Sequence, residues 1–414
     1  PLSNTIYQTS NTIMKIAIIG SGPCGLAAAY EFAKNGAEVE VFENDANVGG
    51  LAKSFDLWGN RVEFGPHFLS VHYEELNKLF KQLLGDEIIH YQRSSTIFLD
   101  NKYFAYPPRV MNILKNLGPV KTIQAGTSMM MQKMKKDSDH HNAEEYFIAN
   151  AGDFMYKYLV KEYTEKIWGM PCTEVSLNYG KGLIGFDKLT IPNLIKKVFS
   201  KDDIELHLHC IYPKQGVGQI WLRLREEIEK EGGKVHTATN IKRFLMDGKT
   251  VTGVELSDGS QHNYDLVIST IAEAAILRFF PSVPETLMSE LKQVKFRSLI
   301  MIYMQVEETD FMKYSTLFIY TKKIKATRIT NYNSFRNIPT NNILMLEYWV
   351  SDQDELWNAD NEKIVEYAKE ELKKLPGGDK LKIKNYEVKK MKNAYPIPDL
   401  HLDRRKNMIK DFLQ

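Results

Sequence analysis

Lys15-Ile16-Ala17-Ile18-Ile19-Gly20-Ser21-Gly22-Pro23-Cys24-Gly25-Leu26-Ala27-Ala28-Ala29 decides how this chain is read. An Ile-rich run leads straight into Gly-x-Gly-x-x-Gly, and an Ala-rich helix follows. Gly20 permits the tight turn off the strand, Gly22 lets backbone approach a pyrophosphate, and Gly25 lets helix and strand pack closely. The helix N-terminus then presents unpaired N–H groups and the positive end of its dipole to phosphates. The glycine pattern alone is a weak signal, but here it has its context. The helix is expected to run to about Asn35 and stop at Gly36, and a second strand, Glu38-Val39-Glu40-Val41-Phe42, closes on Glu43. An acidic residue roughly 20 residues past the glycines is placed to accept hydrogen bonds from ribose hydroxyls. The strand end is expected to lie beside solvent, so loss of Glu43 should weaken dinucleotide binding and leave folding little changed.

A second glycine pair follows directly, in Asn47-Val48-Gly49-Gly50-Leu51-Ala52, and then Phe64-Gly65-Pro66-His67. A domain for NAD alone has no need of that pair. The arrangement resembles the FAD enzymes of the glutathione-reductase-like superfamily, in which such a pair brings backbone N–H groups to the pyrophosphate a second time. Within it, the chain resembles the branch of amine oxidases, protoporphyrinogen oxidase and UDP-galactopyranose mutase. The resemblance implies an α/β architecture, with a Rossmann-like FAD-binding domain, a helical insertion and a mixed or antiparallel β-sheet substrate domain. It also implies FAD as cofactor, held by Gly20, Gly22, Gly25, Glu43, Gly49, Gly50, Leu51, Gly65, Pro66 and His67.

Three segments extend the resemblance over roughly residues 14–300. Gly65-Pro66-His67-Phe68 resembles the mutase segment crossing below the flavin ring, where a histidine lies near the isoalloxazine. Tyr163-Thr164-Glu165-Lys166-Ile167-Trp168-Gly169-Met170 resembles the mutase helix end whose Trp borders the sugar-nucleotide cleft. Pro213-Lys214-Gln215-Gly216-x-x-Gln219 resembles the turn that re-enters the FAD domain across the superfamily. The mutases place a diphosphate-binding Arg about 14 residues past that Trp; this chain has Gly182 there, beside Lys181. Lys neutralises charge but lacks the planar fork of Arg. The second family Arg lies in an aromatic-Arg-Ser/Thr-aliphatic context that Phe296-Arg297-Ser298-Leu299 matches. His67, Trp168 and Arg297 are therefore the catalytic-site candidates. Their alternatives are a hydrogen-bonded histidine in a packed turn, a core aromatic, and a surface or interdomain ion pair.

The bulk numbers are ordinary. The chain has 414 residues, 43% apolar and 26% charged, with a net charge of +2. That length supports two or three subdomains, and the charge balance gives no reason to invoke nucleic acid. Three cysteines (Cys24, Cys172, Cys210) form no disulfide framework and suit a reducing cytoplasm. No apolar run reaches the roughly 18 residues of a transmembrane helix. Residues 1–13 are polar and unpatterned, and Met14 stands where a natural start would, so the leader is expected to be foreign or read from upstream. At the other end, the charged helix around Leu402–Asn407 leads, in the related families, to a strand and glycine turn capping the flavin, so the chain reads as a fragment.

Residues 14–70 and 205–275 are expected to form a discontinuous FAD-binding domain, 71–204 the helical insertion, 276–395 the β-sheet substrate domain, and 396–414 the start of a return. A helix is predicted from Asp153, as its cap, to Trp168, ended by Gly169 and Pro171. Another is predicted from about Gln219 to Glu231, followed by a strand at Lys234–Thr237 and a hairpin closed by Ser257-Asp258-Gly259. Tyr264–Thr270 reads as a buried parallel strand. His207 and His209 share a strand face beside Cys210, without an evident fourth metal ligand. Met129-Met130-Met131 with Met134 reads as helix packing, and residues 110–136, apolar with a Lys-rich end, carry a membrane-surface role as an alternative.

Three functions are open. The leading expectation is an FAD-dependent oxidoreductase taking a hydride from a C–H bond of a small-molecule substrate, with nucleotide sugars and surface-glycan assembly in view. A UDP-galactopyranose-mutase-like isomerase is second. A flavin-free binding protein, like the inhibitors that hold prenylated GTPases, is third; the intact glycines and Glu43 speak against it.

Overall fold

The computed structural model describes residues 13–70, 73–106, 108–135, 139–182, 209–307, 311–336 and 342–414. Strand β1 (Lys15–Ile19) has Ile16, Ala17 and Ile18 wholly buried, as an Ile-rich central strand of a parallel sheet must. It turns at Gly20 into α1 (Pro23–Lys34), which starts on a proline and ends where Asn35 and Gly36 break it. Strand β2 (Glu38–Phe42) pairs parallel to β1, Lys15 opposite Glu38 and Ile19 opposite Phe42. Lys234–His236 flanks β2 and Leu266–Ser269 flanks β1, giving a four-stranded parallel sheet. One face packs on α1 and the helix Gly218–Lys230 through Leu26, Tyr30, Ile220 and Leu224. The other packs on the three-stranded meander Ile241–Asp247, Thr250–Leu256, Gln261–Asn263 through Ala17, Ile19, Phe42, Phe244 and Val254. Leu266–Ser269 is an edge strand and only partly buried, with Leu266 exposed, which corrects the expected full burial.

The second large sheet has seven strands, in the order Ile383–Pro396, Phe296–Val306, Asn342–Val350, Arg328–Asn331, Thr316–Ile319, Ser95–Leu99, Lys102–Tyr106. All pairings are antiparallel except Thr316–Ile319 with Ser95–Leu99. The expectation that residues 71–204 are mostly helical holds for the helix Glu74–Leu84 and fails from Ile88 to Tyr106. Ile88–Gln92 pairs with His209–Pro213, and Ser95–Leu99 with Lys102–Tyr106 extends the large sheet. Ser95–Leu99 is buried at every position, the pattern of a strand covered on both faces.

After these strands helical structure resumes at α2 (Val110–Lys133), kinked at Gly118 before Pro119. Next come α3 (Ala143–Met155), which breaks at Gly152, a π-helical turn Tyr156–Lys161, and α4 (Glu162–Trp168), closed by Gly169 in the left-handed conformation. The predicted stop at Gly169 is observed. Asp153 is not a cap: its carboxylate takes Lys157 at 2.7 Å, and Asn142 caps α3 by accepting the Glu145 N–H. The helix Leu402–Leu413 packs on Glu285–Lys292 through Ile409 and Leu287, with Arg405 bonding Asp399 at 2.8 Å.

Candidate active site

The N-terminus of α1 is built as an anion cradle. Gly20 has φ +97°, and a Cβ on Gly25 would lie 1.9 Å from the Gly20 carbonyl oxygen, so neither position admits a side chain at low cost. A Cβ on Gly22 would meet nothing within 4 Å. Gly22 is the N-cap, and no side chain caps the helix. Uncapped N–H groups facing open space suit a pyrophosphate. The second glycine pair packs on the first: the Gly49 N–H donates to the Ser21 carbonyl at 2.8 Å, and a Cβ on Gly50 would lie 3.2 Å from Gly22 Cα. Gly49 has φ +105°, and a Cβ there would lie 2.6 Å from Trp221, whose indole N–H donates to the Ala52 carbonyl at 2.9 Å. Leu51 stays 57% exposed beside this cradle, an apolar contact left uncovered by protein.

Glu43 is not the solvent-adjacent group expected at a strand end. It is 8% exposed, because the Ser21 and Asp45 segments fold over it. Its Oε2 accepts the Ser21 N–H at 2.8 Å and the Ser21 Oγ–H at 2.9 Å, and its Oε1 accepts the Asp45 N–H at 2.8 Å. The carboxylate thus ties the glycine loop to the end of β2 before any ligand arrives. Glu63, wholly buried, does similar work where the chain re-enters. It accepts from Tyr212, from the Val217 N–H at 3.1 Å and from Ser54 Oγ at 3.1 Å.

Gly65, Pro66 and His67 then cross toward the large sheet. A Cβ on Gly65 would lie 3.4 Å from Glu347 Oε1 and 3.5 Å from Arg328 Nη2. Arg328 and Glu347 face each other across adjacent strands and form a bidentate pair, Nε to Oε2 at 2.8 Å and Nη2 to Oε1 at 2.6 Å. The Glu347 side chain is 3% exposed and the Arg328 side chain 28%. Burial lowers the His67 pKa, Arg328 lowers it further, and the Gly65 carbonyl and Glu347 offset part of this. The His67 Nδ1 is buried without a well-formed hydrogen bond among the described residues. The Tyr163 and Tyr395 hydroxyls respond to the same ion pair, and burial raises the pKa of both. Tyr163 stacks on Tyr320 with ring centroids 4.0 Å apart, and Tyr106 lies 4.5 Å from Phe318. An aromatic wall therefore stands beside one neutralised ion pair.

Lys166 fixes α4 against this wall. Its ammonium donates to the carbonyls of Ile319 at 2.8 Å, Thr321 at 3.2 Å and Ala326 at 2.6 Å. Burial pushes it down to about 7, and the charges of Glu371 and Glu162 oppose that by favouring the ammonium. Trp168 is 8% exposed and meets Tyr179 and Trp349 edge-on at 5.3 and 5.4 Å, in a packed cluster with Phe147 and Val175. Arg297 is 8% exposed and, among the described residues, forms no ion pair, surface or interdomain. Its Nη2 donates to the Trp349 carbonyl, and to the Lys166 carbonyl at 3.5 Å, under Gly169. It is a buried donor to the end of α4. His67 is thus brought to the ion pair, while Trp168 and Arg297 sit together at the α4 terminus.

Lys181 and Gly182 are exposed at the end of Leu177–Gly182. His209 is exposed, and His207 lies outside the described residues. A cleft of about 640 Å³ below α4 is lined by Glu165, Met170, Lys322, Lys325 and Glu371, among others. Two of its cations are paired, Lys322 with Glu165 at 2.8 Å and Lys325 with Asp354 at 2.6 Å, a third, Lys166, is held by backbone carbonyls, and the cleft has no glycine cradle. Arg328, Glu347, Tyr163 and Tyr320 were not singled out from sequence as site residues. The one available signal was Glu347, a lone carboxylate inside Ile343-Leu344-Met345-Leu346-Glu347-Tyr348-Trp349-Val350.

A parallel sheet with two interlocking glycine turns at an uncapped helix start, facing a large mixed sheet, defines a dinucleotide-dependent enzyme of the two-domain flavoprotein class. The chain belongs to the family of flavin-containing amine oxidoreductases, whose model matches residues 23–399, and FAD is its cofactor. Among curated proteins it is 24% identical to the 1-hydroxycarotenoid 3,4-desaturase of Flavobacterium sp. (strain P99-3), covering 79% of this chain and 71% of that one. It is 23% identical to a 4,4'-diapophytoene desaturase of Methylomonas sp., covering 75% and 65%. Against the zeta-carotene desaturase of Zea mays the identity is 33%, over 65% of this chain and 51% of that one. The chain thus spans about half to seven tenths of the length of these relatives. Among solved structures, a reduced UDP-galactopyranose mutase superposes with TM-score 0.76 at 18% identity, covering 97% of this chain and 88% of that one. Cyclohexylamine oxidase from Brevibacterium oxydans IH-35A gives TM-score 0.65 at 15% identity, covering 94% and 89%. At such identities these two likenesses speak for the fold.

Proposed function

We propose that this protein dehydrogenates a predominantly apolar substrate, the class to which an extended isoprenoid or polyene belongs. The observation carrying this reading is the aromatic wall of Tyr163, Tyr320, Tyr106 and Phe318 beside an ion pair that is already neutralised. An anionic diphosphate would want free cations there. Arg328 is bonded to Glu347, and Arg297 to backbone carbonyls. The desaturase relatives support the same substrate class, which displaces nucleotide sugars and glycan assembly from first place. Free cysteines at Cys24, Cys172 and Cys210 support the cytoplasmic assignment.

When bound, FAD supplies the acceptor for a hydride leaving a substrate C–H bond, with a proton lost from the adjacent carbon. Gly20, Gly22, Gly25, Gly49 and Gly50 would hold the pyrophosphate, with Glu43 fixing their loop and Leu51 covering the cofactor. Gly65 and Pro66 would run below the ring system, and the buried His67 Nδ1 would meet one of its polar edges. The aromatic wall excludes water and orients an apolar chain. Trp168 and Arg297 act as positioning residues: they fix the end of α4 and so the Tyr163–Tyr320 stack. The division into a FAD-binding part, an insertion and a sheet domain is proposed with the same boundaries, the insertion carrying three strands between its first helix and α2.

Mixing FAD-loaded protein anaerobically with a lipid-dispersed polyene tests this reading. Bleaching of the oxidised flavin together with one new C=C bond per flavin is expected. Dithionite-reduced protein that interconverts UDP-galactofuranose and UDP-galactopyranose, with no bleaching by polyenes, would establish the mutase reading instead.

A further inference from the structure

Helix α2 leaves one whole face without a partner among the described residues. Past its kink, Val120, Ile123, Thr127, Met130, Met131 and Met134 fall on a single stripe of the 3.6-residue period. The five apolar members keep 62–84% of their surface exposed. Of the expected methionine packing only Met129 is partly buried. Thr127 adds no free hydroxyl donor, because its Oγ turns back to the carbonyls of Ile123 at 3.0 Å and Gln124 at 3.1 Å. The opposite face is the one that packs: Ala125 is buried, Ser128 Oγ accepts the Phe154 N–H at 3.0 Å, and Gly152 of α3 lies against the Met129 backbone.

Charge says what covers the stripe. Residues 107–136 contain Arg109, Lys115, Lys121, Lys133, Lys135 and Lys136, and no carboxylate. Lys121 is engaged by Asp100 at 3.4 Å and by the Tyr158 ring at 4.7 Å. Arg109, Lys115, Lys133 and Lys135 are exposed and have no ion pair among the described residues. A second copy docked face to face would bring these like charges together, which disfavours that occupant.

We propose that α2 seats the protein on an anionic lipid bilayer, the Val120–Met134 stripe among the acyl chains and the cations against lipid phosphates. The helix lies on the surface: it is kinked, and no helix of the described residues is long and apolar enough to span a membrane. Before the kink, Ile113 packs into the cluster that holds Tyr106, Tyr163 and Tyr320, which anchors the start of α2 to the aromatic wall. This docking does not depend on which substrate is turned over, and its test reads binding alone.

The test is co-sedimentation of the FAD-loaded full chain with phosphatidylcholine vesicles and with vesicles part-substituted by phosphatidylglycerol. Each cation reaching the surface adds roughly fivefold in affinity, so at least about a tenfold preference for the anionic vesicles is expected, weakened by salt. Ile123→Ser/Met131→Ser should lower binding to the anionic vesicles about tenfold or more, and Lys133→Glu/Lys135→Glu should erase the preference. All four positions are exposed, so flavin content and melting temperature should match the parent. The proposal is overturned if the parent ignores anionic vesicles, or if both variants bind as the parent does. It is equally overturned if the parent is a dimer that Ile123→Ser/Met131→Ser converts to monomer, which would assign the face to a second copy.

Discussion

Replacing Glu43 by Ala removes an acceptor shared by three protein donors, the Ser21 N–H, the Ser21 Oγ–H and the Asp45 N–H, all within 2.9 Å. A hydrogen bond to a charged group contributes about 1.5–3 kcal/mol, and a buried donor left unpaired costs about 1–3 kcal/mol. A full sum overstates the loss, since the Ser21 hydroxyl can rotate and the loop can relax toward water. About 3 kcal/mol of apoprotein stability is the expected cost. Glu43→Gln keeps one acceptor oxygen and should cost about half as much. FAD affinity should fall as well, by about 1–3 kcal/mol, because the loop carrying Ser21 and Gly22 loses its tether. Denaturant unfolding of the flavin-stripped proteins gives the first quantity, provided the slope with denaturant is unchanged. Titration of FAD followed by flavin fluorescence gives the second. Apoprotein stability within about 0.5 kcal/mol of the parent, with FAD binding weakened, would refute the loop-tether argument and restore the expectation of a carboxylate acting on ribose alone.

Breaking the Arg328–Glu347 pair should be asymmetric. Arg328→Met strands a carboxylate that is 3% exposed and should cost about 3–5 kcal/mol, whereas Glu347→Gln leaves an arginine 28% exposed that can find water and should cost less. Arg328→Met/Glu347→Leu should recover part of the loss in a double-mutant cycle, and the reverse order of the single variants would sink the argument. For His67, burial and Arg328 hold the folded pKa below 6.5, so the unfolded chain takes the proton first as pH falls. Stability present above pH 6.5 is therefore lost below it, and His67→Asn should flatten that part of the melting-temperature profile; an unchanged profile would remove His67 from the list of buried neutral groups.

How far the sequence reaches depends on whether a contact is local. Gly20, Gly25 and β2 were legible because strand, turn and helix are consecutive and each glycine answers a steric demand within a few residues. Glu43 was placed correctly along the chain but not in its surroundings, since two of its three donors belong to Ser21, in a loop 22 residues earlier. The strands Ser95–Leu99 and Lys102–Tyr106 form a local hairpin through Asp100 and Asn101, but the first also pairs with Thr316–Ile319 and is buried at every position, so the alternation that marks a half-buried strand is missing. Arg297 shows the limit most clearly. Its local context matched a phosphate-binding arginine, yet what it meets is decided by where α4 ends, and the Lys166 and Trp349 carbonyls take the fork. Arg328 and Glu347 meet only through the register of two antiparallel strands. A carboxylate alone in an apolar strand must be neutralised by something, so Glu347 could have been flagged, and the search for its cation would have led from the sheet back to Gly65 and His67.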